Sequence, residues 1–269
     1  MALIVVSLYI GKWTSNEFVG QLARHLLFGF VMFVGLYECY RCVELSGTKV
    51  NKPLGYLLMA AVWLGSFVCL GFVGSRLDAI VLMCFLMCAA LPAALIWQLW
   101  RNDDHPFVTV SATLVGVLYL ALPMALLLLG TADRQVVDVV MMTFILTWVC
   151  DTGAYLSGMA FGRHKLWPRH SPGKTWEGLC GGLLLCVGAA MLVGPLFGGA
   201  LLSGWQWPVL AVIVVVFGTL GDLAESMLKR SAGLKDSGNI MPGHGGILDR
   251  FDSMLLIVPI MFLYCCLFL

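Results

Sequence analysis

Charge is what this chain has least of. Only 12% of its 269 residues are Asp, Glu, Lys or Arg, while 60% are hydrophobic, against about 25% charged in an ordinary soluble domain. Such a chain cannot clothe a water-facing surface, and it has too few polar residues to stay solvated as a disordered one. A basic excess is missing as well: 16 Lys and Arg against 15 Asp and Glu leave a net charge of +1, which argues against a nucleic-acid partner. Linkers and low-complexity segments are absent. So is any obvious internal repeat, and with it the inverted-repeat signature of many secondary transporters. The first apolar run, Ala2–Ile10, lacks the positive flank and small-residue cleavage site of a signal peptide. It reads as a short first span.

What the chain does have is long apolar runs. Crossing a bilayer core of about 30 Å takes roughly 20 mostly apolar residues. Runs near 22–40, 55–73, 79–100, 107–130, 136–160, 176–198, 207–225 and 253–269 meet that length. With the short first run they predict an all-α, polytopic membrane bundle of about nine transmembrane helices. Lys and Arg set its orientation. Twelve of them fall in the loops around 41–54, 101–106, 161–175 and 226–252, against four on the other side, so the first set faces the cytoplasm. Residues 1–135 read as scaffold and lipid access and 136–269 as the catalytic region, within one integrated membrane domain.

Cysteine is plentiful but not patterned. Most of the ten lie mid-span, where they act as small hydrophobes. Cys39 and Cys42 have redox or zinc spacing, yet no second pair follows them. Trp97, Trp100, Trp205 and Trp207 lie near span ends, as an interfacial belt requires. Small residues four apart, such as Gly178 and Gly182, suit close helix contact.

The few charges are clustered. Fifteen of 31 lie in Asp151–Glu177 and Asp222–Asp252, eight basic and seven acidic. Asp151 sits on a span, where an ionisable group is expensive and marks a functional site by default. Ser171-Pro-Gly-Lys174-Thr175 lacks the preceding glycine run and strand of a P-loop. It does put a lysine beside a helix N-terminus, where phosphate oxygens can be received. Asp222, Glu225, Ser226 and Lys229 follow at i, i+3, i+4 and i+7, on one helical face. Asp249 and Asp252 repeat the i, i+3 spacing at the start of the last span. Carboxylates converging in this way need cations to offset their repulsion, and hard oxygen ligands suit Mg²⁺ together with substrate phosphates. Lys229, Arg230, Lys235 and Arg250 supply the positive field a polyphosphate needs. Gly243, Gly245 and Gly246 around His244 let backbone approach a ligand closely. A lipid-binding basic patch would carry no interleaved Asp. The pattern points to a metal–phosphate site.

At these residues the chain resembles the phosphatidate cytidylyltransferase (CDP-diacylglycerol synthase) family. The likeness runs through 27 consecutive residues, from Ser226-Met-Leu-Lys229-Arg230 through Lys235-Asp236 to His244-Gly-Gly-Ile-Leu-Asp249-Arg250-Phe-Asp252. Asp151-Thr-Gly-Ala-Tyr155 and Ser171-Pro-Gly-Lys174-Thr-Trp-Glu-Gly178 are similar to the family too, although Gly173 stands where a second lysine is common. The resemblance implies transfer of a cytidylyl group from CTP to phosphatidate in phospholipid biosynthesis, at the cytoplasmic face of a bacterial inner membrane. It implies a Mg²⁺ cofactor on Asp222 and Asp249, with Asp252 and Asp151 completing a second cation position. Asp222, Asp249, Lys229, Arg230 and His244 are the expected catalytic residues. Ser171, Lys174, Thr175, Ser226, Lys235, Asp236, Gly245, Gly246 and Arg250 are expected to bind the two substrates, CTP and phosphatidate. Small-residue faces permit a homodimer. Two other functions fit the composition: a CTP-dependent polyprenol or dolichol-type kinase, and an ion-coupled transporter using Asp151 and Asp222.

Overall fold

A computed structural model describes residues 2–14, 16–72, 76–101, 103–196, 202–238 and 245–267, without the side chains of Lys12, Arg134 and 69–84. Its helices are α1 (Ala2–Trp13), α2 (Glu17–Leu45), α3 (Lys52–Phe72), α4 (Arg76–Gln98), α5 (Pro106–Gly130), α6 (Arg134–Phe161), α7 (Trp176–Val193), α8 (Gln206–Ser231) and α9 (Leu248–Cys266). Among the described residues, five are long and apolar enough to cross a membrane, over Glu17–Leu45, Pro106–Gly130, Gln135–Phe161, Trp176–Leu196 and Gln206–Ser231. Shorter apolar stretches cover Ala2–Gly11, Lys52–Val68 and Phe85–Gln98. Helix α9 is as apolar further on, but it opens with Asp249, Arg250 and Asp252.

Helix starts follow local chemistry. Asn16, Asp133 and Thr175 cap α2, α6 and α7 by accepting from the N–H groups of Val19, Gln135 and Gly178, which satisfies donors that a first turn leaves orphaned. Asn51 does the same for α3 through the Leu54 N–H. One element escapes the helical reading. Strands β1 (Lys165–Trp167) and β2 (Ser171–Thr175) form an antiparallel hairpin between α6 and α7, pairing Lys165 with Thr175 and Trp167 with Ser171. Three to five residues including a proline give too short a period to announce a strand.

The chain divides into two compact units, Met1–Leu129 with Leu228–Phe251, and Gly130–Met227 with Asp252–Leu269. In the first, Tyr40 is wholly buried and donates to the Thr113 carbonyl at 2.8 Å. The Trp63 indole donates to the His25 carbonyl at 3.0 Å across α2 and α3, against Gly29. Cys39 and Cys42 are buried and not joined in a disulfide.

In the second unit, α6 and α7 pack through small residues. A Cβ at Gly178 would stand 2.8 Å from the Ala154 carbonyl, and one at Gly182 3.1 Å from the Cys150 carbonyl. The glycines thus bring two backbones into near contact. Ser157 spans the seam, donating to the Gly153 carbonyl at 2.6 Å and reaching the Gly178 carbonyl at 3.3 Å. Trp97, Trp100 and Trp205 are exposed, as a belt requires, but Trp207 is not. It is buried against Gly194, where the missing side chain leaves room for an indole.

Overpacking a tight seam costs about 1–3 kcal/mol. Gly182→Leu is therefore expected to lower the melting temperature in detergent by several degrees, while Gly188→Leu, with nothing within 4 Å of its Cβ, leaves it unchanged. Thermal scans of the two variants side by side check this.

Candidate active site

Helix α8 carries Asp222, Glu225 and Ser226 within one turn, and α9 brings Asp252 to them. The approach depends on Gly221, where a Cβ would stand 2.6 Å from the Asp252 carbonyl oxygen. Carboxylate oxygens of Asp222, Glu225 and Asp252 lie within 4.8 Å of one another, and Glu225 is fully buried. Thr143 and Thr147 of α6 fix α9 from the other side, donating to the sulfurs of Met261 at 3.2 Å and Met254 at 3.8 Å.

The hairpin supplies the counter-charge. Lys174 on β2 holds Asp222 Oδ2 at 2.6 Å and reaches the Thr219 carbonyl at 3.5 Å, while Ser226 donates to Asp222 Oδ1 at 3.2 Å. Glu177 anchors the hairpin, accepting from the backbone N–H groups of Arg163 and His164 and from the His164 ring at 2.6 Å. The hard oxygen donors of Asp222, Glu225 and Asp252 fit a divalent cation.

Beside this group lies a cavity of about 470 Å³. Its lining includes the polar Asp151, Lys174, Thr219, Asp222 and Ser253 together with the apolar or aromatic Tyr155, Met159, Leu166, Leu179 and Val214. A wall of this kind fits a ligand with a charged head and an apolar body.

The first unit holds a second carboxylate centre. Asp249, at the start of α9, accepts from Lys229 Nζ at 2.6 Å, from the Ser237 N–H at 3.0 Å and from the Gly246 N–H at 2.8 Å. The Lys229 and Asp249 side chains are only 12% and 11% exposed, so removing one of them would leave the other's charge nearly buried. Gly245 adopts φ +79°, a left-handed conformation that glycine takes at no steric cost. Behind Asp249 stands Glu38 of α2, 1% exposed. It accepts from the N–H groups of Ile247 at 3.2 Å and Leu248 at 2.8 Å. The Ser237 hydroxyl oxygen stands 3.2 Å from Glu38 Oε2 and 3.0 Å from Asp249 Oδ2, with one proton to donate to either.

Among the expected site residues, Asp151, Lys174, Asp222, Ser226 and Asp252 thus share one unit, and Lys229, Asp249, Gly245 and Gly246 the other. Thr175 serves as the α7 cap, and Ser171 is half-buried at the other end of β2. Arg230, Lys235, Asp236 and Arg250 are exposed, Arg230 donating to the Leu234 carbonyl at 3.1 Å. His244 lies outside the described residues. Glu225 and Glu38 were not among the assigned residues. Glu225 was legible in the i, i+3 spacing from Asp222. The signal for Glu38 was an ionisable residue inside the run 22–40.

A sequence profile described as the cytidylyltransferase family matches residues 2–268. A phosphatidate cytidylyltransferase of Staphylococcus saprophyticus is 36% identical over 265 residues, 97% of this chain and 95% of that protein. One from Bacillus subtilis is 32% identical over 256 residues, 93% and 91% of the two chains. Another, from Staphylococcus epidermidis, reaches 47% identity over 122 residues, 45% of this chain and 46% of its own.

The two lysine–carboxylate pairs should separate by substitution. Lys229→Met strands a nearly buried carboxylate and is expected to cost about 3 kcal/mol. Lys174→Met, in a pair 26% and 35% exposed, should cost under about 1 kcal/mol. Thermal denaturation of both in one detergent checks the order.

Proposed function

This chain belongs to the cytidylyltransferase family, and on that premise we propose how its charged groups serve the reaction. It is an integral membrane nucleotidyltransferase of phospholipid biosynthesis: CTP and phosphatidate give CDP-diacylglycerol and pyrophosphate. The observation that carries our assignment of the site is the cavity at Asp222, lined by both charged and apolar side chains. A lipid phosphate needs both, since its headgroup must meet cations while its acyl chains stay out of water.

The phosphate monoester of the lipid is its own nucleophile. One of its oxygens bonds to the α-phosphorus of CTP, the bond from that phosphorus to the bridging oxygen breaks, and pyrophosphate leaves with the electron pair. Such transfers depend on positioning and charge stabilisation rather than on a side-chain nucleophile. Ser226 and Ser171 are accordingly binding residues. Lys174, in the cavity wall, receives the lipid phosphate. Lys229, Arg230, Lys235 and Arg250 serve the triphosphate.

Asp222, Glu225 and Asp252 would hold Mg²⁺, with Asp151 available to a second cation. The buried Glu225 and the three hard donors within 4.8 Å support that set. Glu225 takes the place first given to Asp249, whose oxygens already accept from Lys229, Ser237 and Gly246. When bound, a divalent cation there supplies charge neutralisation for phosphate oxygens and the leaving group.

The nine α-helices among the described residues, α1 short, would all be membrane-embedded, with the charged loops facing the cytoplasm of a bacterial inner membrane. The twelve-to-four distribution of Lys and Arg supports this. A homodimer would use faces other than Gly178 and Gly182, which pack against α6.

The test is a purified-enzyme assay with radiolabelled CTP and phosphatidate, scoring CDP-diacylglycerol and pyrophosphate. Chelation by EDTA should abolish both products and Mg²⁺ should restore them. Asp252→Asn is expected to lose roughly a hundredfold in rate with membrane insertion intact. Glu225→Gln should raise half-saturating Mg²⁺ by about tenfold. An unchanged Mg²⁺ titration in Glu225→Gln would remove Glu225 from the metal set, and CDP as by-product would indicate a kinase.

A further inference from the structure

Helix α9 starts at Leu248. The residue before Leu248 is Ile247, which has no side-chain acceptor for the orphan N–H groups of a first turn. The acceptor comes instead from α2, more than two hundred residues earlier. Glu38 takes the Ile247 N–H on one oxygen and the Leu248 N–H on the other, at the positive end of the helix dipole. The chain makes room for it. A Cβ at Gly246 would stand 2.6 Å from Glu38 Oε2, and one at Gly238 would overlap the same carboxylate.

A buried carboxylate is costly unless several donors satisfy it. Capping alone could be done more cheaply by a local Ser, Thr or Asp. What Glu38 adds is a connection. Its Oε2 and Asp249 Oδ2 flank the same Ser237 hydroxyl, at 3.2 and 3.0 Å, and Asp249 in turn holds Lys229 at 2.6 Å. Glu38 therefore touches the signature segment on both sides, at 237–238 and at 246–248.

We propose that Glu38 is a positioning residue for cytidylyl transfer: through the start of α9 and Ser237 it sets where Asp249 and Lys229 stand. Glu38→Gln is isosteric but exchanges one acceptor oxygen for an NH₂ group that faces an N–H donor. The expected result is folded protein in detergent with kcat lower by about tenfold and KM for CTP within threefold. Because Glu38 acts through Ser237, Ser237→Ala should add little to Glu38→Gln, the double variant staying within about threefold of the worse single one. Tyr40→Phe, which loses only the bond to Thr113, serves as control for a purely structural effect: a lower melting temperature with unchanged kcat per folded enzyme.

Wild-type kcat in folded Glu38→Gln would overturn the proposal, and so would losses that multiply with those of Ser237→Ala. Should Glu38→Gln not fold, Ser237→Ala alone decides. It leaves the α9 cap in place and is expected to lower kcat three- to tenfold at constant KM. An unchanged kcat there overturns the proposal.

Discussion

A carboxylate among apolar helices must be met by donors or cations, because desolvating its charge costs several kcal/mol. Both units are organised around that constraint, in different ways. Glu38 is satisfied by backbone N–H groups at a helix start. Asp249 is satisfied by a lysine and by the amides of the signature segment. Asp222, Glu225 and Asp252 stand together with Lys174 on Asp222, a grouping whose hard oxygen donors suit a divalent cation. The first two arrangements hold the signature segment and its lysine in place, and the third gathers donors suited to a cation.

Close approach is the other half of the design, and glycine permits it. Gly221 lets α8 meet the α9 backbone, so that Asp222 and Asp252 share one site. Gly178 and Gly182 bring α6 and α7 together beneath the hairpin that carries Lys174. Gly246 leaves room for the Glu38 carboxylate. In each case the missing side chain sets a distance between polar groups on different elements, which then sets an electrostatic energy.

The hairpin shows why short elements matter in such a protein. Among long helices whose backbones are internally satisfied, β1 and β2 project a lysine back toward a carboxylate of α8. Glu177 ties the start of α7 to the Arg163 and His164 amides, so the turn is held at its base. The reach of Lys174 is then a consequence of two fixed ends rather than of a flexible loop.

Much of this was legible in the chain itself. Apolar runs of membrane length announced the helices, because hydropathy over twenty residues is a local property. The i, i+3 spacing of Asp222 with Glu225 placed that pair on one face, because helical period is local as well, whereas Asp249 and Asp252 share the spacing but meet different partners. The charged stretches also carried the family likeness. What no local pattern could state was partnership. That Lys174 meets Asp222, that Trp207 is buried against Gly194 instead of facing lipid, and that a glutamate in the second helix caps the last one are contacts between distant segments. They follow from how the helices pack, so the sequence determined which groups were present and on which faces, and only the tertiary structure decided which charge each would meet.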